Sequence, residues 1–134
     1  MKMLKKLLLL FTIQILILNP SISMEKETTF DKKLFDKAQS EGKVVVVSSW
    51  IKYCSSCASQ MKVLNKAKSD GRLFDIKFEN IEYFSFDVTN KEIANLLDVK
   101  FQTTLLIFKD NNEIYRSLGE TTEDLIYEAL KKAI

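Results

Sequence analysis

Val44-Val45-Val46-Val47-Ser48-Ser49-Trp50-Ile51-Lys52-Tyr53-Cys54-Ser55-Ser56-Cys57 decides the fold of this chain. Four β-branched residues in a row, with no polar alternation, predict a central strand covered on both faces. Trp50 closes that segment. From Cys54 onward the apolar positions Met61, Leu64 and Ala67 recur at helical spacing, to a stop near Asp70-Gly71. A strand running into a helix places Cys54 at the helix N-terminus, where unpaired amides and the helix dipole favour the thiolate. A free cysteine with a pKa near 8.5 falls by roughly one to several units in such a setting. Cys57 returns one helical turn later, within disulfide reach. Cys54 is then the exposed nucleophile and Cys57 the more buried resolving thiol.

Outward from this stretch the chain reads as a single α/β domain. A helix is expected to begin with Thr28 or Thr29 as its cap, to bury Phe30, Leu34, Phe35 and Ala38, and to end at Gly42. Ile81 to Val88 reads as a strand and Lys91 to Leu97 as a short helix. Thr104 to Phe108 is a strand, Asp110-Asn111-Asn112-Glu113 its hairpin turn, and Glu113 to Leu118 the antiparallel partner. Gly119 precedes a last helix, capped by Thr121 or Thr122, that buries Leu125, Ile126, Ala129, Leu130 and Ala133. Its charged residues, Glu123 to Lys132, read as a solvated face. Phe74, Phe78, Phe84, Phe86 and Phe108 read as core. This order of elements implies a mixed sheet with helices on both faces.

The first residues read differently. Lys2, Lys5 and Lys6 precede an apolar run from Leu7 to Leu18, then Asn19-Pro20 and the small residues around Ser21-Ile22-Ser23. That is the pattern of a secretory signal peptide over residues 1–23, with residues 24–134 as the mature domain. The alternative is an uncleaved anchor, although the apolar run falls short of the roughly 20 residues of a spanning helix. Removing 1–23 takes three of the 20 basic residues and none of the 18 acidic ones, so the net charge goes from +2 to −1. No argument for nucleic acid survives that change.

Histidine is absent, which excludes Ser-His and Cys-His nucleophilic machinery and histidine-based metal sites. The two cysteines stand three apart. A structural disulfide closing so short a loop constrains the unfolded chain less than the about 3 kcal/mol of a 15-residue loop. Zinc would find only half of its ligands here. A metal or cluster shared between two chains remains an alternative to redox chemistry.

Trp50 to Cys57, following four valines, resembles the active-site strand and turn of the thioredoxin-like superfamily. Tyr53 stands where the family has an aromatic beside the nucleophile, and Trp50 matches its upstream tryptophan. Val99-Lys100-Phe101-Gln102-Thr103-Thr104-Leu105-Leu106-Ile107-Phe108 is similar to the family's run into its third core strand, with Gly119 after the hairpin. The likeness covers residues 28–134. It implies a thioredoxin-like fold and a thiol–disulfide oxidoreductase with Cys54 and Cys57 as catalytic residues. Trp50, Tyr53, Ser55, Ser56 and Thr103 would shape the surface where a partner docks. No dissociable cofactor is implied, because the Cys54–Cys57 disulfide is itself the redox group. The implied partners are cysteine-containing exported proteins and a membrane redox protein, in the periplasm or outside the cell.

Three positions depart from the family. Thr103 replaces the proline that faces the disulfide. A cis bond without proline costs about 3 kcal/mol, so either a trans bond or retained strain is expected there. Ser48 replaces a buried aspartate, leaving proton transfer at Cys57 to water or another group. Ser55-Ser56 replaces the commoner Gly-Pro, and hydroxyl donation to a Cys54 thiolate would make the disulfide more oxidising. A rival of another class is a non-enzymatic thioredoxin-like binding module that uses the same groove with its cysteines incidental.

Overall fold

The valine run forms the middle of the sheet. The computed structural model describes residues 26–69 and 80–134, so residues 1–23, where a signal peptide is expected, the Asp70-Gly71 stop, Phe74 and Phe78 lie outside the described residues. Strand β1 (Val44–Trp50) pairs in parallel with β2 (Ile81–Asp87) and antiparallel with β3 (Thr104–Lys109). Strand β4 (Asn112–Leu118) pairs antiparallel with β3, giving the order β2-β1-β3-β4. Side chains alternate along β1. Val44 and Val46 pack with Leu64 and Ala67 of α2 (Ser55–Ser69) and with Ile126 and Leu130 of α4 (Glu123–Ala133). Val45 and Val47 face the other way, onto Phe35 and Ala38 of α1 (Lys32–Ser40) and Ala94 of α3 (Lys91–Leu96). The mixed sheet with helices on both faces is therefore present.

Local details differ from expectation. Helix α1 is capped by Asp31, whose carboxylate accepts from the Leu34 amide, and not by Thr28 or Thr29. Those two threonines run beside β2 instead. Their hydroxyls accept from the Asp87 and Ser85 amides, and the Thr29 amide donates to the Ser85 carbonyl, which covers an otherwise bare sheet edge. At the other end of α1 the Gly42 amide donates to Gln39 and the Lys43 amide to Ala38, with Gly42 at a φ of 71°. That is the Schellman arrangement, and it needs a residue free to take positive φ. Leu34 and Leu125 are exposed, not buried. Each flanks its helix's buried stripe, and in α4 the buried set is Ile126, Tyr127, Ala129, Leu130 and Ala133. The hairpin is tighter than expected. Asp110 and Asn111 alone make the turn, both at positive φ, while Asn112 and Glu113 already belong to β4.

The topology fixes where chemistry can sit. Strand β1 ends at Trp50, where the chain turns into α2, and β3, antiparallel to it, begins at that same end of the sheet. The cysteines and the residues just before β3 therefore meet at the carboxyl end of the central strand.

Candidate active site

Tyr53 turns the chain from β1 into α2 at a φ of 61°. Cys54 follows as the residue preceding α2, and Cys57 lies in its first turn. The Cys57 amide donates to the Cys54 sulfur at 3.1 Å, so the sulfur occupies the place of a capping oxygen. The two cysteines are joined by a disulfide with their Cα atoms 5.3 Å apart. Cys54 is half-buried and Cys57 is only 1 % exposed. The half-buried sulfur sits where a backbone N–H and the helix N-terminus both stabilise negative charge, as a leaving or attacking thiolate requires.

Thr103 closes the site from the start of β3. It is 2 % exposed, and no peptide bond among the described residues is cis. Thr103 instead adopts a φ of 58°. That left-handed conformation is costly for a β-branched residue, by about 1–3 kcal/mol, so neighbouring bonds must hold it. The Thr103 amide donates to the Ser49 carbonyl at 2.8 Å, and its own carbonyl accepts from the Gly119 amide at 2.9 Å. Ser49 also ties the approach to β3, donating through its hydroxyl to the Phe101 carbonyl and accepting from the Thr104 amide. So held, the Thr103 hydroxyl lies 3.2 Å from the Cys57 sulfur and 3.5 Å from the Cys54 sulfur. Ser56 completes the cluster, its hydroxyl 2.9 Å from that of Thr103 and 3.4 Å from the Cys54 sulfur.

Of the residues singled out in the sequence, Cys54, Ser56, Cys57 and Thr103 meet. Trp50, Tyr53 and Ser55 stand outside the cluster. The Trp50 indole donates to the Glu27 carbonyl, fastening the segment ahead of α1 to the end of β1. Tyr53 is 91 % exposed beside the disulfide, with the Lys52 ammonium over its ring. Ser55 opens α2 on the solvent side. Ser48 is buried in β1, opposite Ser85 and Leu105 in the sheet register.

Two contributors were missed in the sequence. Lys26 donates to the carbonyls of Ile51 and Cys54, both at 3.0 Å, pinning the turn that carries the nucleophile. Gln60 is fully buried on α2, in the stripe of Cys57, Leu64 and Ala67. Its amide nitrogen donates to the carbonyls of Thr103 at 3.3 Å and Glu120 at 2.8 Å, clamping the segment that leads into β3 to the one that leads into α4. A polar residue in an apolar helical stripe was the available signal. Gln60→Leu, which keeps the volume and removes both bonds, is expected to cost about 1–2 kcal/mol of stability and to speed amide exchange at Gly119. Denaturant unfolding and hydrogen exchange check this, and an unchanged midpoint with unchanged exchange would show the clamp to be idle.

Against this geometry, the thioredoxin family profile matches residues 21–132. A thioredoxin H-type from Fagopyrum esculentum is 26 % identical over 94 residues, covering 69 % of this chain and 75 % of its own. Among solved structures, Trxlp from Edwardsiella tarda superposes with a TM-score of 0.67 at 22 % identity, over 75 % of this chain and 94 % of its own. The thioredoxin NaTrxh from Nicotiana alata gives a TM-score of 0.62 at 20 % identity, over 75 % of this chain and 82 % of its own. Among the described residues, no helix is long and apolar enough to cross a membrane, and no group of three His, Cys, Asp or Glu could hold a metal ion.

Proposed function

The chain belongs to the thioredoxin family and is a thiol–disulfide oxidoreductase working through its own cysteine pair, and on that premise we propose that it acts outside the cytoplasm on cysteines of exported proteins. Cys54 is the attacking sulfur and Cys57 the resolving one. The observation that carries these roles is the asymmetry of the pair: a half-buried sulfur capping α2, bonded to one that is shut away. In the reductive direction the Cys54 thiolate attacks a partner's disulfide, one partner thiolate leaves, and Cys57 then attacks Cys54 to release the second. Run backwards, the same steps place a disulfide in the partner.

Export is supported by the basic start and the apolar run of residues 2–18, which lie ahead of the segment matched to the family. The hydroxyls of Ser56 and Thr103, both within hydrogen-bond reach of the Cys54 sulfur, favour the reduced, anionic form and so an oxidising disulfide. Trp50, Tyr53 and Ser55 line the approach to it.

The full-length Cys57→Ser variant tests the reading in cells. It is expected to accumulate partners covalently held on Cys54, releasable by a reductant and enriched in proteins that carry export signals. Partners drawn from the cytoplasm would overturn the location, and no trapped partner at all would overturn the catalytic roles.

A further inference from the structure

The second half of the reaction sets a problem that the buried pair does not itself solve. Cys57 must lose a proton before it can attack Cys54, yet it is 1 % exposed and the chain has no histidine. The position in β1 where a carboxylate would be looked for is Ser48. What does touch the Cys57 sulfur is the Thr103 hydroxyl at 3.2 Å. That hydroxyl touches the Ser56 hydroxyl at 2.9 Å, and Ser56 is exposed to solvent. The chain of contacts runs without a gap from the buried sulfur to water.

We propose that Thr103 and Ser56 form a hydroxyl relay that carries the proton between Cys57 and the solvent side of the site, with Thr103 a catalytic residue. A hydroxyl can accept one proton while giving up another, so neither residue need become charged. In the resolving step the Cys57 thiol passes its proton to Thr103 Oγ1 as Thr103 passes its own to Ser56 Oγ, and Ser56 releases one to water or to the departing thiolate. Cys57 Sγ bonds to Cys54 Sγ, the bond between Cys54 and the partner's sulfur breaks, and the electron pair leaves with that sulfur. Ser56 Oγ lies 3.4 Å from Cys54 Sγ, the atom that carries the leaving group, so the relay ends where the proton is wanted. Over both steps the protein's dithiol is oxidised and the partner's disulfide reduced, by two electrons in each case. The backbone of Thr103, held by Ser49 and Gly119 and gripped by Gln60, keeps the hydroxyl in place for this exchange. This inference rests on the roles given above to Cys54 and Cys57.

The test follows the reduced protein reacting with dithiobis(nitrobenzoate), which releases one chromophore when Cys54 attacks and a second when Cys57 resolves. Thr103→Val keeps the β-branched shape and removes the hydroxyl. At neutral pH it is expected to slow the second release by about tenfold or more while changing the first far less. The deficit should shrink as the pH is raised and hydroxide becomes able to take the Cys57 proton without the relay. Ser56→Ala should show a smaller deficit of the same pH dependence, and Thr103→Ser should restore the second release. A second release unchanged in Thr103→Val, or slowed equally at every pH, would overturn the relay while leaving the cysteine roles standing. Loss of the first release from the unsubstituted protein would overturn the cysteine roles, and the relay with them.

Discussion

Cys54→Ser is expected to reduce thiol–disulfide exchange by roughly a thousandfold or more, as measured by reduction or oxidation of a model protein disulfide. Serine is close in size, so the capping contact from the Cys57 amide can be kept by an oxygen, and the fold should survive. What is lost is the sulfur: an alcohol is scarcely ionised at neutral pH and cannot attack a disulfide to any useful extent. Cys57 cannot substitute, because its sulfur is enclosed by Thr103 and the first turn of α2. The same variant separates the oxidoreductase from a binding module of the same shape. A binder would hold its client through the surface beside Tyr53 and lose little with Cys54 replaced. Retention of full activity in Cys54→Ser would therefore give the cysteines an incidental role.

The largest effect on stability is expected at Phe86. Its side chain is fully buried in the core cluster that holds Phe30, Phe35 and Phe84, its ring centroid 6.4 Å from that of Phe30. Phe86→Ala should cost about 3–5 kcal/mol, a large part of the 5–15 kcal/mol typical of a folded domain. The effect should reach the site as well. Phe86 lies opposite Ser49 in the register of β1 and β2, and Ser49 is the residue that holds Thr103 and Thr104 in place. Denaturant unfolding measures the first effect and the rate of the resolving step the second. A loss below about 1 kcal/mol would mean that the aromatic cluster repacks without this ring.

How much of this was legible in the sequence depended on whether the signal was local. The valine run and the Cys54–Cys57 spacing are local patterns with strong physical consequences, and both placed their elements correctly. So did the substitution at Thr103, which marked the residue that now touches both sulfurs. Leu34 and Leu125 misled because each is one position from a truly buried residue, Phe35 and Ile126, and a helical stripe is wide enough to take either. Thr28 and Thr29 are sound capping residues, but β2 offered their hydroxyls backbone amides to accept from, and Asp31 was left to cap α1. Gln60 showed locally only as a polar residue in an apolar stripe, and what it binds could not be read from its neighbours. Its partners lie 43 and 60 residues away, and only the folded chain brings the Thr103 and Glu120 carbonyls to its amide.

The most direct test of the central claim is the reduction potential of the Cys54–Cys57 pair, titrated in the purified protein against glutathione buffers. Hydroxyl and amide donors gathered at the Cys54 sulfur predict a two-electron titration with a potential well above the about −270 mV of thioredoxin. A value at or below that figure would contradict an oxidising pair, and failure to titrate would contradict redox function altogether.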